Sequence, residues 1–499
     1  MPAVVTDAVR GDAPPGEDRS FFGQPRGLGA LSGLEVWERF SFLGMQAILV
    51  LYFADTVAAG GLGMAPGAAA SVAAAYGTLV YLVSVAGGWL ADRMLGTYRA
   101  VLWGGILIAC GHYAMGVPTG AATWAGLGLI SAGTGLLKPN VSTMVGQLYR
   151  SDDQRRDAGF ALYYMAINIG AFLGPLIAGW LGQNKGWHWG FSAAAVGMTL
   201  GLVQYVMGRR NLPGRGGAPV GMLPPQAMRR ARRLIACGLL TAAALAVLLG
   251  AAGVLTLGHA VNALTLVAAV APVVYFTVMF KSPRVTTQER GRLRPYLVLF
   301  GASVVFNMIL FQAYSTMMLL ATDNAETSIL GFDFPSTWFA SALGAFEVAL
   351  APVVAAVWVR LGRRQPHASN KIALGVLLGG LSFLVMVVPT FGRSGGDWKM
   401  AAWWVVLSYL LLGLGDVLLQ TTGLSASTKL APAAFGSQTM AVWFLSMALA
   451  NGIQAQAVKL YGEIPTPLYF GLNAGIAIVG GLAVLAAAPW LKRTMHPVH

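Results

Sequence analysis

Apolar runs long enough to cross a membrane recur about fourteen times along this chain. They fall near 28–54, 68–91, 99–117, 122–148, 158–181, 188–207, 231–252, 260–280, 296–321, 336–361, 371–391, 400–422, 437–457 and 467–491. A soluble domain is about a quarter charged. Here 10% of 499 residues are charged and 56% are hydrophobic, so the chain is a polytopic membrane protein. The net charge of +14 lies in short loops between the runs. Such a distribution signals topology and not a surface for nucleic acid.

Arg93 and Arg99, Arg150 and Arg155, Arg209 and Arg210, Arg229 to Arg233, Lys281 to Arg294, Arg360 to Lys371, Lys429, and Lys492 with Arg493 fall in alternate loops. The opposite loops are poor in base, which predicts both termini on the cytoplasmic side of the cell's plasma (inner) membrane. The first residues lack an apolar h-region, so a cytoplasmic tail and no cleaved signal peptide is expected. Cys110 and Cys237 read as packing residues inside apolar runs, without metal-ligand spacing.

A basic, Pro/Gly-rich connection at 208–230 divides the chain. Six spans precede it, two follow, and six more come after a basic stretch at 281–294. The expected division is a tail at 1–26, a six-helix bundle at 27–207, a linker with two extra helices at 208–294, a second six-helix bundle at 295–491 and a tail at 492–499. This all-α, six-plus-six integral membrane layout is that of the major facilitator fold. The loop Gly87-Gly88-Trp89-Leu90-Ala91-Asp92-Arg93 resembles that superfamily's signature loop.

Charges inside the spans locate the function. After Arg39 only Phe40 to Ala54 remain before Asp55, about 22 Å of helix against a hydrocarbon core of about 30 Å. The first span therefore starts earlier and carries Glu35, Glu38 and Arg39 into the membrane on one face. Lys138 lies midway along its run, beside Pro139, which frees a backbone carbonyl. Asp416, flanked by Gly413 and Gly415, and Glu347 are the counterparts in the second bundle. Ionisable groups at such depth face a partner or a water-filled path. A solute with separated charges fits this set, its anion toward Arg39 and Lys138 and its cation toward Asp416. Burial beside a like charge favours proton uptake by the Glu35/Glu38 pair, which loosens its hold on Arg39.

Other classes fit less well. The chain has no Gly-x-x-x-x-Gly-Lys-[Ser/Thr] loop for a primary pump. His112, His188, His259, His367, His496 and His499 lack ligand spacing, which argues against a metalloenzyme. The expectation is a transporter and not an enzyme, with no cofactor beyond the proton.

Four stretches carry a family resemblance: Glu35-x-x-Glu38-Arg39-Phe40-Ser41, Gly133-Thr134-Gly135-Leu136-Leu137-Lys138-Pro139-Asn140, Ala161 to Pro175, and Gly423 to Pro432. Together they resemble the proton-dependent oligopeptide transporter family over nearly the whole chain. The resemblance implies proton symport of di- and tripeptides by alternating access, with a monomer as the functional unit. It implies coupling and carboxylate binding by Glu35, Glu38, Arg39 and Lys138. Asn168 and Asp416 match positions for the peptide's amino end, and Tyr76 and Trp443 match pocket aromatics, with Gln312 and Glu347 added as candidate contacts.

The departures are specific. Phe42-Leu43-Gly44 replaces a Tyr-Tyr-Gly, Gln46 stands for a frequent Arg and Phe311 for a frequent Glu, while Asn307 and Leu343 replace a pocket Trp and Asn. Loss of both partners of the Gln46/Phe311 pair is nearly neutral where loss of one strands a charge. Glu347 is the candidate to take over that charge. The altered pocket leaves a same-fold transporter of a non-peptide or modified amino-acid-like solute, importing or exporting, as the alternative.

Overall fold

The computed structural model describes residues 18–150, 153, 155–213, 222–253, 256–329, 331–393, 398–430, 432 and 436–495. Nearly all are helical. In chain order the helices are α1 (Arg26–Ala54), α2 (Pro66–Leu90), α3 (Thr97–Met115), α4 (Gly120–Gln147), α5 (Arg156–Gly174), α6 (Trp180–Lys185), α7 (Trp187–Met207) and α8 (Pro225–Ala251). There follow α9 (Leu257–Lys281), α10 (Thr287–Leu310), α11 (Thr316–Asn324), α12 (Trp338–Leu361), α13 (Ala368–Thr390), α14 (Ala402–Leu430), α15 (Gly436–Ala457) and α16 (Thr466–Met495). A π turn at Pro175–Gly179 joins α5 to α6, and a 3-10 turn at Phe311–Tyr314 joins α10 to α11. The described residues therefore form fourteen helical rods, which match the apolar runs one for one. Eleven are long and apolar enough to cross a membrane on length and composition alone. The other three are α1, with its buried charges, α3 and α15.

Two helices begin earlier than their apolar runs. In α10, Thr286 accepts from the Glu289 backbone while Glu289 accepts from the Thr286 N–H at 2.9 Å, a reciprocal cap that starts the helix among basic residues. In α8, Pro225 presets the first helical position, so the helix starts six residues ahead of its apolar run and takes in Arg229 and Arg230 of the connection. Lys492 and Arg493 likewise belong to the last turn of α16 and not to a tail. Cys110 and Cys237 are both exposed, so neither packs as expected; in a spanning helix such a face meets lipid. The Lys429 side chain, His496 and His499 lie outside the described residues.

In the first half, α1 packs on α5 and α7, α2 on α4, and α3 on α4 and α7. In the second, α10 packs on α13, α14 and α16, and α13 on α14 and α16. The halves meet where α2 lies on α15 and α5 on α12; α9 covers α15 and α2. The α1–α5 crossing requires glycine, because a Cβ on Gly170 would overlap the Val36 carbonyl and the Arg39 Cβ.

Cross-half hydrogen bonds gather at one end. Gln183, closing α6, donates to Ser336 Oγ at 2.9 Å and accepts from Thr337 Oγ1 at 2.9 Å and Thr337 N at 3.2 Å. Trp338 Nε1 donates to the Leu176 carbonyl at 3.1 Å, and Ser71 Oγ to the Ala455 carbonyl at 2.6 Å. The loops at this end are the base-poor set, expected on the non-cytoplasmic side. At the other end the last turns of α12, Val353 to Leu361, are largely exposed.

Candidate functional site

The helical spacing of Glu35, Glu38 and Arg39 produces the cluster it implies. Arg39 Nε lies 2.9 Å from Glu35 Oε1 and 2.8 Å from Glu38 Oε2, and all three residues are buried. Glu35 Oε2 accepts from the Tyr163 hydroxyl of α5 at 2.7 Å. Glu38 is 0% exposed and its Oε1 has no hydrogen-bond partner. An orphaned buried carboxylate oxygen is costly, and such sites are commonly functional.

Lys138 approaches this cluster from α4. Its Nζ lies 3.4 Å from the Tyr81 hydroxyl, 4.6 Å above the Tyr81 ring and 5.9 Å from the Phe42 ring. Arg39 sits on Phe42 as well, 5.8 Å from its centroid. Phe42, which replaces a hydroxyl-bearing residue, thus receives both cations on an aromatic face. Tyr76 stacks on Phe42 at 6.4 Å, with its hydroxyl buried and unpartnered.

Across the interface, Glu347 of α12 and Asp416 of α14 are buried with their carboxyl groups within interaction reach of each other. Gln420, one turn after Asp416, lies within reach of it and donates to Asn307 Oδ1 at 3.4 Å, and Asn307 donates to the Ser303 carbonyl at 2.8 Å. Asn307 therefore anchors a polar chain in place of a pocket ring. Asn168 lies one turn from Tyr164 on α5 and within reach of it, and Tyr164 lies within electrostatic reach of both carboxyls. Tyr81 lies within electrostatic reach of Arg39 and Glu38 in the first half and of Asp416 in the second.

The remaining candidates divide. Trp443 is 1% exposed with its indole N–H unpartnered. Gln312 is turned inward and saturated. Its amide donates to the Met308 carbonyl and Asn473 Oδ1, and its oxygen accepts from Thr316 and Tyr469, leaving nothing for a ligand. Leu343 is a packing residue, 2% exposed. Sequence reasoning did not find Tyr81, Tyr163, Tyr164 or Gln420; only Gln420 carried a local signal, its spacing of four from Asp416.

Two helical groups meeting over buried, oppositely placed charges define a secondary transporter of the major facilitator fold. The chain matches the family model described as the POT family over residues 98–470, and it belongs to that family. It is 42% identical to the uncharacterised transporter YclF of Bacillus subtilis (strain 168), over 96% of this chain and 97% of that one. It is 39% identical to a di-/tripeptide transporter of Lactococcus lactis subsp. cremoris, over 96% and 98%. Among solved structures it superposes on the peptide transporter POT crystallised with sulfate with a TM-score of 0.90, at 45% identity and covering 96% of this chain and 97% of that one.

Proposed function

We propose that this protein is a proton-coupled symporter that imports di- and tripeptides by alternating access. The carrying observation is that Arg39 and Lys138 form a cationic side in the first half and Glu347 and Asp416 an acidic side in the second, with Tyr81 within reach of Lys138, Arg39 and Asp416. A peptide's carboxylate suits the first side, with Arg39 as a forked donor and Lys138 as a point charge, and its ammonium suits the second. Tyr76, Asn168 and Trp443 complete the binding surface. The units that rock are residues 27–207 and 295–491, with the Gln183 contacts closing the exterior end in the arrangement described above. The protein works as a monomer in the plasma membrane with both termini cytoplasmic, and carries out transport and not catalysis.

Ligand-induced thermal stabilisation tests the reading, since a ligand that binds the folded state raises its apparent stability. Dialanine should stabilise the purified protein, and N-acetyl-dialanine, lacking the ammonium, should not. Stabilisation by neither dialanine nor trialanine would move the assignment to a non-peptide solute.

A further inference from the structure

Among the described residues, four acidic side chains are buried within spans, and they form two unlike pairs. Glu35 and Glu38 share Arg39, and Lys138 acts on both, so two negative charges meet two positive ones. Glu347 and Asp416 form no described ion pair. Their helices are in contact there: a Cβ on Gly413 of α14 would meet Leu343 of α12 at 3.4 Å and Phe346 at 3.5 Å, ordinary van der Waals distances. The two helices run in the same direction, so Glu347, one turn beyond Leu343, meets Asp416, one turn beyond Gly413.

Among the described residues the neighbours supply no compensating cation. Tyr164 from α5, Tyr314 from the 3-10 turn and Tyr81 from α2 are the titratable groups within electrostatic reach of the pair. On α13 the titratable side chain is Lys371, which rests on Trp358, eleven residues and about 16 Å beyond Glu347 along α12. The described part of α15 contributes none, and α10 offers only groups in its opening turns, Glu289 to Tyr296. Two bare carboxylates in contact repel, and a hydrogen bond between them requires a proton on one. Asp416 Oδ1 is in addition buried without a partner. Nearby, Phe311 is an aromatic ring 5.7 Å from the Tyr81 ring and holds no proton.

We propose that Glu347 and Asp416 together bind one exchangeable proton in the ligand-free protein, and that this proton is the one the second half contributes to coupling. With the proton the pair carries a single negative charge, matched to one ammonium. Proton and ammonium together make it neutral, so cargo and proton cross the membrane as a neutral load on this side. The coupling role rests on the transport reading above, whereas the proton itself does not.

Infrared spectroscopy of the protein in lipid nanodiscs, without ligand and at neutral pH, reads the proton directly as the C=O stretch of a protonated carboxyl. The wild type should show the band and Glu347→Gln should lose it, because the Gln amide supplies Asp416 with the donor that the proton had provided. Glu35→Gln should retain it. An absent band in the wild type, or one that survives in folded Glu347→Gln, overturns the site. In liposomes Glu347→Gln should lose gradient-driven dialanine uptake about 10-fold or more while still exchanging dialanine without a gradient. Wild-type-like gradient-driven uptake in that variant overturns the coupling role. Failure of wild type to bind dialanine would sink the peptide reading and leave the infrared result to stand alone.

Discussion

The Tyr163 hydroxyl donates to Glu35 Oε2 at 2.7 Å and ties α5 to the charged face of α1. Arg39 takes the other oxygen of the same carboxylate, so Glu35 is held from two helices at once. Tyr163→Phe keeps the ring and removes the donor. Hydrogen bonds between spanning helices are worth about 1 kcal/mol, so the variant should fold with a small loss of thermal stability. Its gradient-driven uptake should fall several-fold as Glu35 is freed, measured beside the melting temperature.

Helix spacing beneath Arg39 is set by a missing side chain. A Cβ on Gly170 would meet the Val36 carbonyl and Arg39 Cβ, whereas one on Gly128 would meet nothing within 4 Å. Gly170→Val should therefore abolish recovery of monodisperse protein in size-exclusion chromatography. Gly128→Val should behave as wild type.

Gln46 and Phe311 stand where the family resemblance leads one to expect a charged pair. The Gln46 Oε1 is buried without a partner, and Phe311 lies against Tyr81. Phe311→Glu alone buries an unpaired charge and should destabilise by about 3 kcal/mol or more. Adding Gln46→Arg should recover most of that loss in thermal unfolding. Equal destabilisation in the single and double variants would mean the two sites do not interact.

Gln183 clamps the start of α12 with three hydrogen bonds. Gln183→Ala should release that end and shift the population toward an exterior-open form. Spin labels at Val57 and Phe332, both exposed, report the separation of the two halves at that end. With Cys110 and Cys237 replaced by serine, pulsed dipolar distances should gain a longer component in the variant.

Much of the fold was legible because a spanning helix writes itself as a continuous apolar run, and the Glu35, Glu38 and Arg39 contacts follow from spacing within one helix. The starts of α8 and α10 were misplaced because polar first turns carry no apolar signal, although Thr286 and Glu289 form a recognisable cap. Tyr163 and Glu35 are 128 residues apart and Gln183 and Ser336 are 153 apart. No local pattern announces pairs set by helix crossings. For the same reason the contact between Glu347 and Asp416 was invisible, although each was conspicuous alone. Gln312 misled because a polar residue in an apolar run reads the same whether it faces a ligand or four internal partners.

In the proposed mechanism Lys138 and the α1 cluster couple a proton gradient to peptide movement. Uptake of labelled dialanine into liposomes, with and without an inward proton gradient, tests it most directly when wild type is compared with Lys138→Ala. Accumulation should require the gradient and disappear in the variant. Uptake by folded wild type that ignores the gradient, or gradient-driven uptake that persists in Lys138→Ala, would contradict it.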